Sequence, residues 1–146
     1  MKIQEKDIYH GSALTQIAED PTFKALNKAD ARYGHYQVNT NRRLLVKYSK
    51  KERTPWQFTF TDDDIRTIND DLRRKDDRTF VVLVCGHECV AILDAAQINE
   101  VLDLSQLAVQ WVKIELPSGG SMRASGTKGS CRYAVKHKDF PEKIFI

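Results

Sequence analysis

The sequence predicts an α+β fold: one domain over residues 1–146, a mixed sheet of roughly six or seven strands with helices packed mainly on one face. Three observations carry that class. From Tyr36 to Phe60 apolar and polar residues alternate with the two-residue period of half-buried strands; Phe80 to Cys85, FVVLVC, is a continuous apolar run of strand length; and two capping boxes, Thr61 with Asp64 and Asp94 with Gln97, announce helices between the strands.

Taken in order, Lys6 to Glu19 has a modest apolar stripe of Ile8, Leu14, Ile17 and Ala18, interrupted by Gly11. Asp20-Pro21 then reads as the start of a short second helix with Phe23 and Leu26 buried. The Tyr36–Phe60 run gives three strands in succession. One face carries Leu44, Val46, Tyr48, Trp56, Phe58 and Phe60, and the other carries Arg43, Lys47, Gln57 and Thr59, so one surface is apolar and the other polar to basic. Thr61 to Lys75 follows as a helix with Ile65, Ile68 and Leu72 on one side. Phe80–Cys85 and Cys89–Leu93 form a hairpin about Gly86-His87-Glu88, with the first of the two at the centre of the sheet. A short helix with Ile98, Val101 and Leu102 inside leads to a strand over Gln110–Leu116, whose Trp111, Lys113 and Glu115 face away from Val112, Ile114 and Leu116. Pro117 to Ser130 is a Gly- and Ser-rich excursion, Cys131 to His137 a last strand, and Ile144-Phe145-Ile146 an apolar end that docks.

A chain of 146 residues with 41% hydrophobic content can bury a core without disulfides or a structural metal. No stretch approaches the roughly 18 apolar residues of a membrane span, and the N-terminal residues lack a signal-peptide core, so a cytoplasmic protein is expected. Three cysteines are an odd number and imply reduced thiols. Cys85 and Cys89 sit in apolar runs, and no spacing in the chain matches two zinc half-sites. Asp62, Asp63 and Asp64 read as first-turn acids that complement a helix dipole. No metal ligand set, cofactor or catalytic group is expected.

The succession helix, three strands, helix, strand over Lys6–Cys85 resembles the core of the PD-(D/E)XK nuclease-like superfamily. The resemblance implies an acid near the second strand and a (D/E)-x-K triplet on the third, holding a divalent metal. Here the only acid between Asp30 and Asp62 is Glu52, Gln57-Phe58-Thr59 stands where the triplet would be, and Leu45 lies two positions before Lys47. A hard cation needs carboxylate oxygens that these positions lack, so the topology is carried over and the catalysis is not. A metal nuclease would require Glu5, Asp7 or Glu19 to converge with Glu52.

The functional signal lies in how charge is distributed. The net charge is +3, but Arg42, Arg43, Lys47, Lys50, Lys51 and Arg53 cluster against Glu52 alone, and Leu116 to Lys138 contains no acid while holding Arg123, Lys128, Arg132, Lys136 and Lys138. Arg43, Lys47, Arg123, Lys128, Arg132 and Lys136 are the expected phosphate contacts, with Trp111 as a stacking platform for a base. The expectation is a non-catalytic DNA- or RNA-associated domain. Its rival is a module in which Trp111, Tyr133 and the basic strand meet an acidic protein.

Overall fold

In the computed structural model, which describes residues Met1–Ile146, the chain opens with helix α1 (Glu5–Ala18). The Gln4 amide donates to the Asp7 carboxylate at 2.8 Å and fixes the helix start. The buried stripe is Tyr9, Ala13 and Ile17, four residues apart, and Ile8 is exposed, a rotation of about one position from the expected stripe. The Tyr9 ring explains it by stacking on Tyr48 with centroids 4.8 Å apart. No helix follows Asp20-Pro21. Asp20 Oδ1 accepts from the Thr22 amide and hydroxyl, closing a turn, and the Asn39 side chain takes the Lys24 and Ala25 amides. The chain is thereby drawn out as an exposed edge strand, β1 (Leu26–Lys28).

Strands β2 (His35–Val38) and β3 (Arg42–Ser49) pair antiparallel through a turn in which Asn39 takes the left-handed conformation at φ 54°. The next strand, β4 (Trp56–Phe60), does not join them. Helix α2 (Asp62–Leu72) returns the chain so that β5 (Arg78–Cys85) lies parallel to β3, occupying the side that β2 leaves free. Strand β6 (Cys89–Leu93) folds back on β5, giving a five-stranded mixed sheet in the order β1-β2-β3-β5-β6. β5 is therefore interior, with β3 in the middle of the order. Helix α3 (Ala95–Val101), with both hydrogen bonds of the Asp94/Gln97 box in place, leads to β7 (Gln110–Glu115) and β8 (Arg123–Gly126), which pair with β4 as a second, three-stranded sheet.

The three-strand run is thus divided between two sheets, and this changes what its faces mean. Leu44 and Val46 of β3 pack with Tyr9, Ala13 and Ile17 of α1 and with Phe140 and Ile144 of the C-terminal helix α4 (Asp139–Phe145). On the other side Leu45 joins Trp56, Phe58 and Phe60 of β4, Ile65 and Ile68 of α2, and Val112 and Ile114 of β7 in the larger core. Both faces of β3 are covered, so its expected polar-to-basic face is interior. The expected last strand at Cys131–His137 is also absent as a regular element. Only two isolated bridges, Met122 with Val135 and Ser125 with Ser130, hold that segment along β8. The C-terminal segment docks through Ile144, which is fully buried and whose carbonyl accepts from Arg42 Nε at 2.5 Å, while the Ile146 side chain is left exposed. No helix is long and apolar enough to cross a membrane.

Candidate nucleic-acid interface

The six expected phosphate contacts fall into two groups with different environments. Alternation on β3 points Arg43, Leu45 and Lys47 towards α2, and α2 meets them with acids at helical spacing. Asp64, Ile68 and Asp71 recur on one buried side of that helix. Lys47 Nζ lies 2.8 Å from Asp64 Oδ2. Arg43, 8% exposed, reaches Asp71 at 3.9 Å and Asp77 at 3.6 Å. These two cations are committed to the interior: Arg43 is removed from any open basic surface, and Lys47 presents only its partly covered flank.

The same acids organise a histidine that sequence reading did not single out. His35 of β2 places Nε2 2.6 Å from Asp71 and Nδ1 3.1 Å from Asp30. Burial works against its protonation, but the hydrogen bond and charge of Asp71, and then those of Asp30, outweigh it and hold the pKa above the ordinary value. Asp30 is shifted down: burial opposes this, but the Arg32 amide and the His35 ring more than compensate. The one available signal was the spacing of Asp64 and Asp71, seven residues apart, which places two carboxylates on one side of a helix otherwise apolar there.

The second group stands in the open. Arg123 is on the outward side of β8, opposite Glu115 of β7, and Lys128, Arg132 and Lys136 are exposed along the segment bridged to it. None of the four has a carboxylate within ion-pairing distance, whereas twelve such pairs occur elsewhere in the chain. That contrast separates free cations from those used in folding. The Arg132 amide donates to Glu100 Oε2 at 3.0 Å, and Lys128 N–H donates to Val101 O, so two backbone anchors to the end of α3 fix a segment whose side chains remain free. Trp111 projects from the same sheet at 36% exposure, beside Thr59 on β4, and Lys113 next to it pairs with Glu115 at 3.2 Å. Tyr133, 74% exposed, lies under the Arg132 guanidinium at 5.9 Å.

Where the two sheets part, a cleft of about 820 Å³ is lined by Lys6, His10, Arg32, Lys47, Gln57 and Asp64 among others. Lys47 and Gln57, the positions compared with the nuclease triplet, do meet there. The lone carboxylate in the lining is Asp64, which holds Lys47 and also accepts from the Thr61 amide at 2.9 Å. Glu5 is drawn away to Lys50 and Tyr48, and Asp7 caps α1. No group of three or more His, Cys, Asp or Glu side chains is arranged to hold a metal ion.

Comparison of the chain with protein-family models, with curated proteins and with solved structures finds no match in any of the three.

Proposed function

We propose that this protein is a nucleic-acid-associated domain that holds a phosphate backbone on the outer side of the three-stranded sheet and does not cleave it. The observation that carries the reading is the contrast between spent and free cations. Arg43 and Lys47 are neutralised within the fold, while Arg123, Lys128, Arg132 and Lys136 are exposed and free of carboxylate partners. Free cations on an anchored segment suit a polyanion, because each can replace a condensed counterion without first breaking an internal ion pair. The cleft supports the binding-only part of the proposal, because its sole lining carboxylate is already engaged by a lysine and by a helix cap. A nuclease-like scaffold is part of the proposal with a changed assignment of strands: the expected succession used β2, β3 and β4, and because β4 lies in the other sheet, β1, β2 and β3 supply the three strands between α1 and α2, with β5 after α2.

The test is a salt titration of binding to a labelled duplex and to a single strand of the same sequence. The log–log slope should be about 0.9 per phosphate neutralised on duplex and about 0.7 on a single strand. Arg132→Glu with Lys136→Glu should weaken binding for all sequences alike, and Trp111→Ala should weaken single-strand binding more than duplex binding. A parent protein without salt-sensitive binding overturns the reading. The acidic-protein partner then takes its place, supported by the exposed Tyr133 beside Arg132.

A further inference from the structure

Cys85 closes β5 and Cys89 opens β6, and the register makes them direct partners across the two strands. Opposed residues in an antiparallel pair have Cα atoms about 4.5–5.5 Å apart and side chains on one face. That separation falls within the roughly 4.4–6.8 Å that a disulfide spans. Both thiols are free, and both lie on the side of the larger core. They differ in access. Cys85 is fully buried, whereas Cys89 is half-buried beside the exposed His87 and Glu88 of the turn.

We propose that Cys85 and Cys89 form a thiol–disulfide exchange site for a low-molecular-weight disulfide, with Cys89 as the attacking thiol and Cys85 as the resolving one. In the first step Cys89 Sγ, as thiolate, attacks one sulfur of the small disulfide. A new S–S bond forms, the old one breaks, and one small thiolate leaves. In the second step Cys85 gives up its proton and its sulfur attacks Cys89 Sγ. The Cys85–Cys89 bond forms, the mixed disulfide breaks, and the second small thiolate departs and is protonated. Two protein thiols are oxidised by two electrons in all, and the small disulfide is reduced to two thiols.

The acid–base balance of the pair agrees with this division of roles. The neighbouring Cys85 thiol lowers the Cys89 pKa, although burial and Glu88 oppose it, and Cys89 together with burial raises that of Cys85. The lowered pKa falls on the sulfur that a reagent can reach. Cys131 provides an internal contrast: also half-buried, it is pushed up to about 11 by burial and by Glu100 and Asp94.

The experiment exposes the native protein to oxidised glutathione near neutral pH, quenches with acid, alkylates the remaining thiols and maps the peptides by mass. The wild type should yield a Cys85–Cys89 disulfide with Cys131 alkylated, and Cys85→Ser should accumulate a single glutathionyl group on Cys89. Cys89 should react at least about tenfold faster than Cys131, since exchange requires the thiolate. The wild-type map stands alone if a serine at the buried position impairs folding. Reaction that stops at a stable mixed disulfide on Cys89, reaction first at Cys131, or no reaction at Cys89 while the protein is folded would each overturn the proposal.

Discussion

His35 shows at the scale of one residue how this interior handles charge. Its ring is 3% exposed and is held between two carboxylates, Asp71 from α2 and Asp30 from the loop before β2. A buried histidine flanked in this way is worth more to the fold charged than neutral. Because its pKa is raised above 6.5, the folded state binds the proton more tightly than the unfolded chain does. That contribution is fully present below pH 6.5 and is lost as pH rises through the folded-state pKa. Asp30 acts in the opposite sense: its pKa is lowered, so its contribution is present at neutral pH and is lost as acid carries the pH down through the folded value. His35→Gln removes the titrating group and leaves Asp71 facing Arg43 at 3.9 Å, which should cost about 3 kcal/mol near pH 6. Urea unfolding near pH 6 and near pH 9 should show a smaller gap between wild type and variant at the higher pH. An equal gap at both would mean that the imidazolium contributes nothing.

Among the elements, α2 carries the most varied duties, and its start was legible in the sequence while its purpose was not. The Thr61/Asp64 box is formed, with the Asp64 amide donating to Thr61 Oγ1 at 3.2 Å and the Thr61 amide donating back to the Asp64 carboxylate at 2.9 Å. Thr61→Ala should therefore lower stability by about 1 kcal/mol. Asp64→Ala should cost more, because it also strands Lys47 in a partly buried site. A urea midpoint no lower for Asp64→Ala than for Thr61→Ala would contradict the Lys47 contact. Capping boxes can be read from four consecutive residues, as can the continuous apolar run that marks β5 and the alternation that marks β7. The pairing of Asp71 with Arg43 could not be read that way, since it spans 28 positions and depends on β5 lying parallel to β3. At the far end of the three-stranded sheet, Gly126 is required by contact rather than by backbone conformation. A Cβ there would collide with the Val101 carbonyl and lie 2.8 Å from the Trp111 carbonyl. Gly126→Ala should cost on the order of 1–3 kcal/mol by forcing β8 away from α3 and β7, a loss readable as a lower urea midpoint at unchanged slope.

Across the whole molecule, the division of β2–β4 between two sheets decides which charges are available to a partner. Alternation along Arg42–Phe60 sorted the residues of each strand onto two sides but did not tell which sides are interior: Leu44 and Val46 enter one core, and Leu45 joins Trp56, Phe58 and Phe60 in the other. Had β4 continued the first sheet, Arg43, Lys47, Gln57 and Thr59 would have shared one open face. Because β4 pairs with β7 instead, α2 and the second sheet cover Arg43 and Lys47, and Gln57 and Thr59 lie in another sheet beside Lys113 and Trp111. Two sets of cations that look alike in sequence should therefore respond differently to substitution. Arg43→Ala removes the guanidinium that Asp71 and Asp77 share, leaving Asp71 to His35 and Asp77 to Arg74, and should cost about 3 kcal/mol of stability. It should not change the salt slope of nucleic-acid binding, measured at a temperature where the variant remains folded. Arg123→Ala and Lys128→Ala remove exposed cations without carboxylate partners. Each should shift stability by no more than about 0.5 kcal/mol and lower the log–log slope by about 0.9 on duplex or about 0.7 on a single strand. Measuring urea midpoint and salt slope on the same three variants separates the two roles. A change in slope for Arg43→Ala, or unchanged slopes for both exposed variants, would place the interface on a different surface from the outer side of the three-stranded sheet.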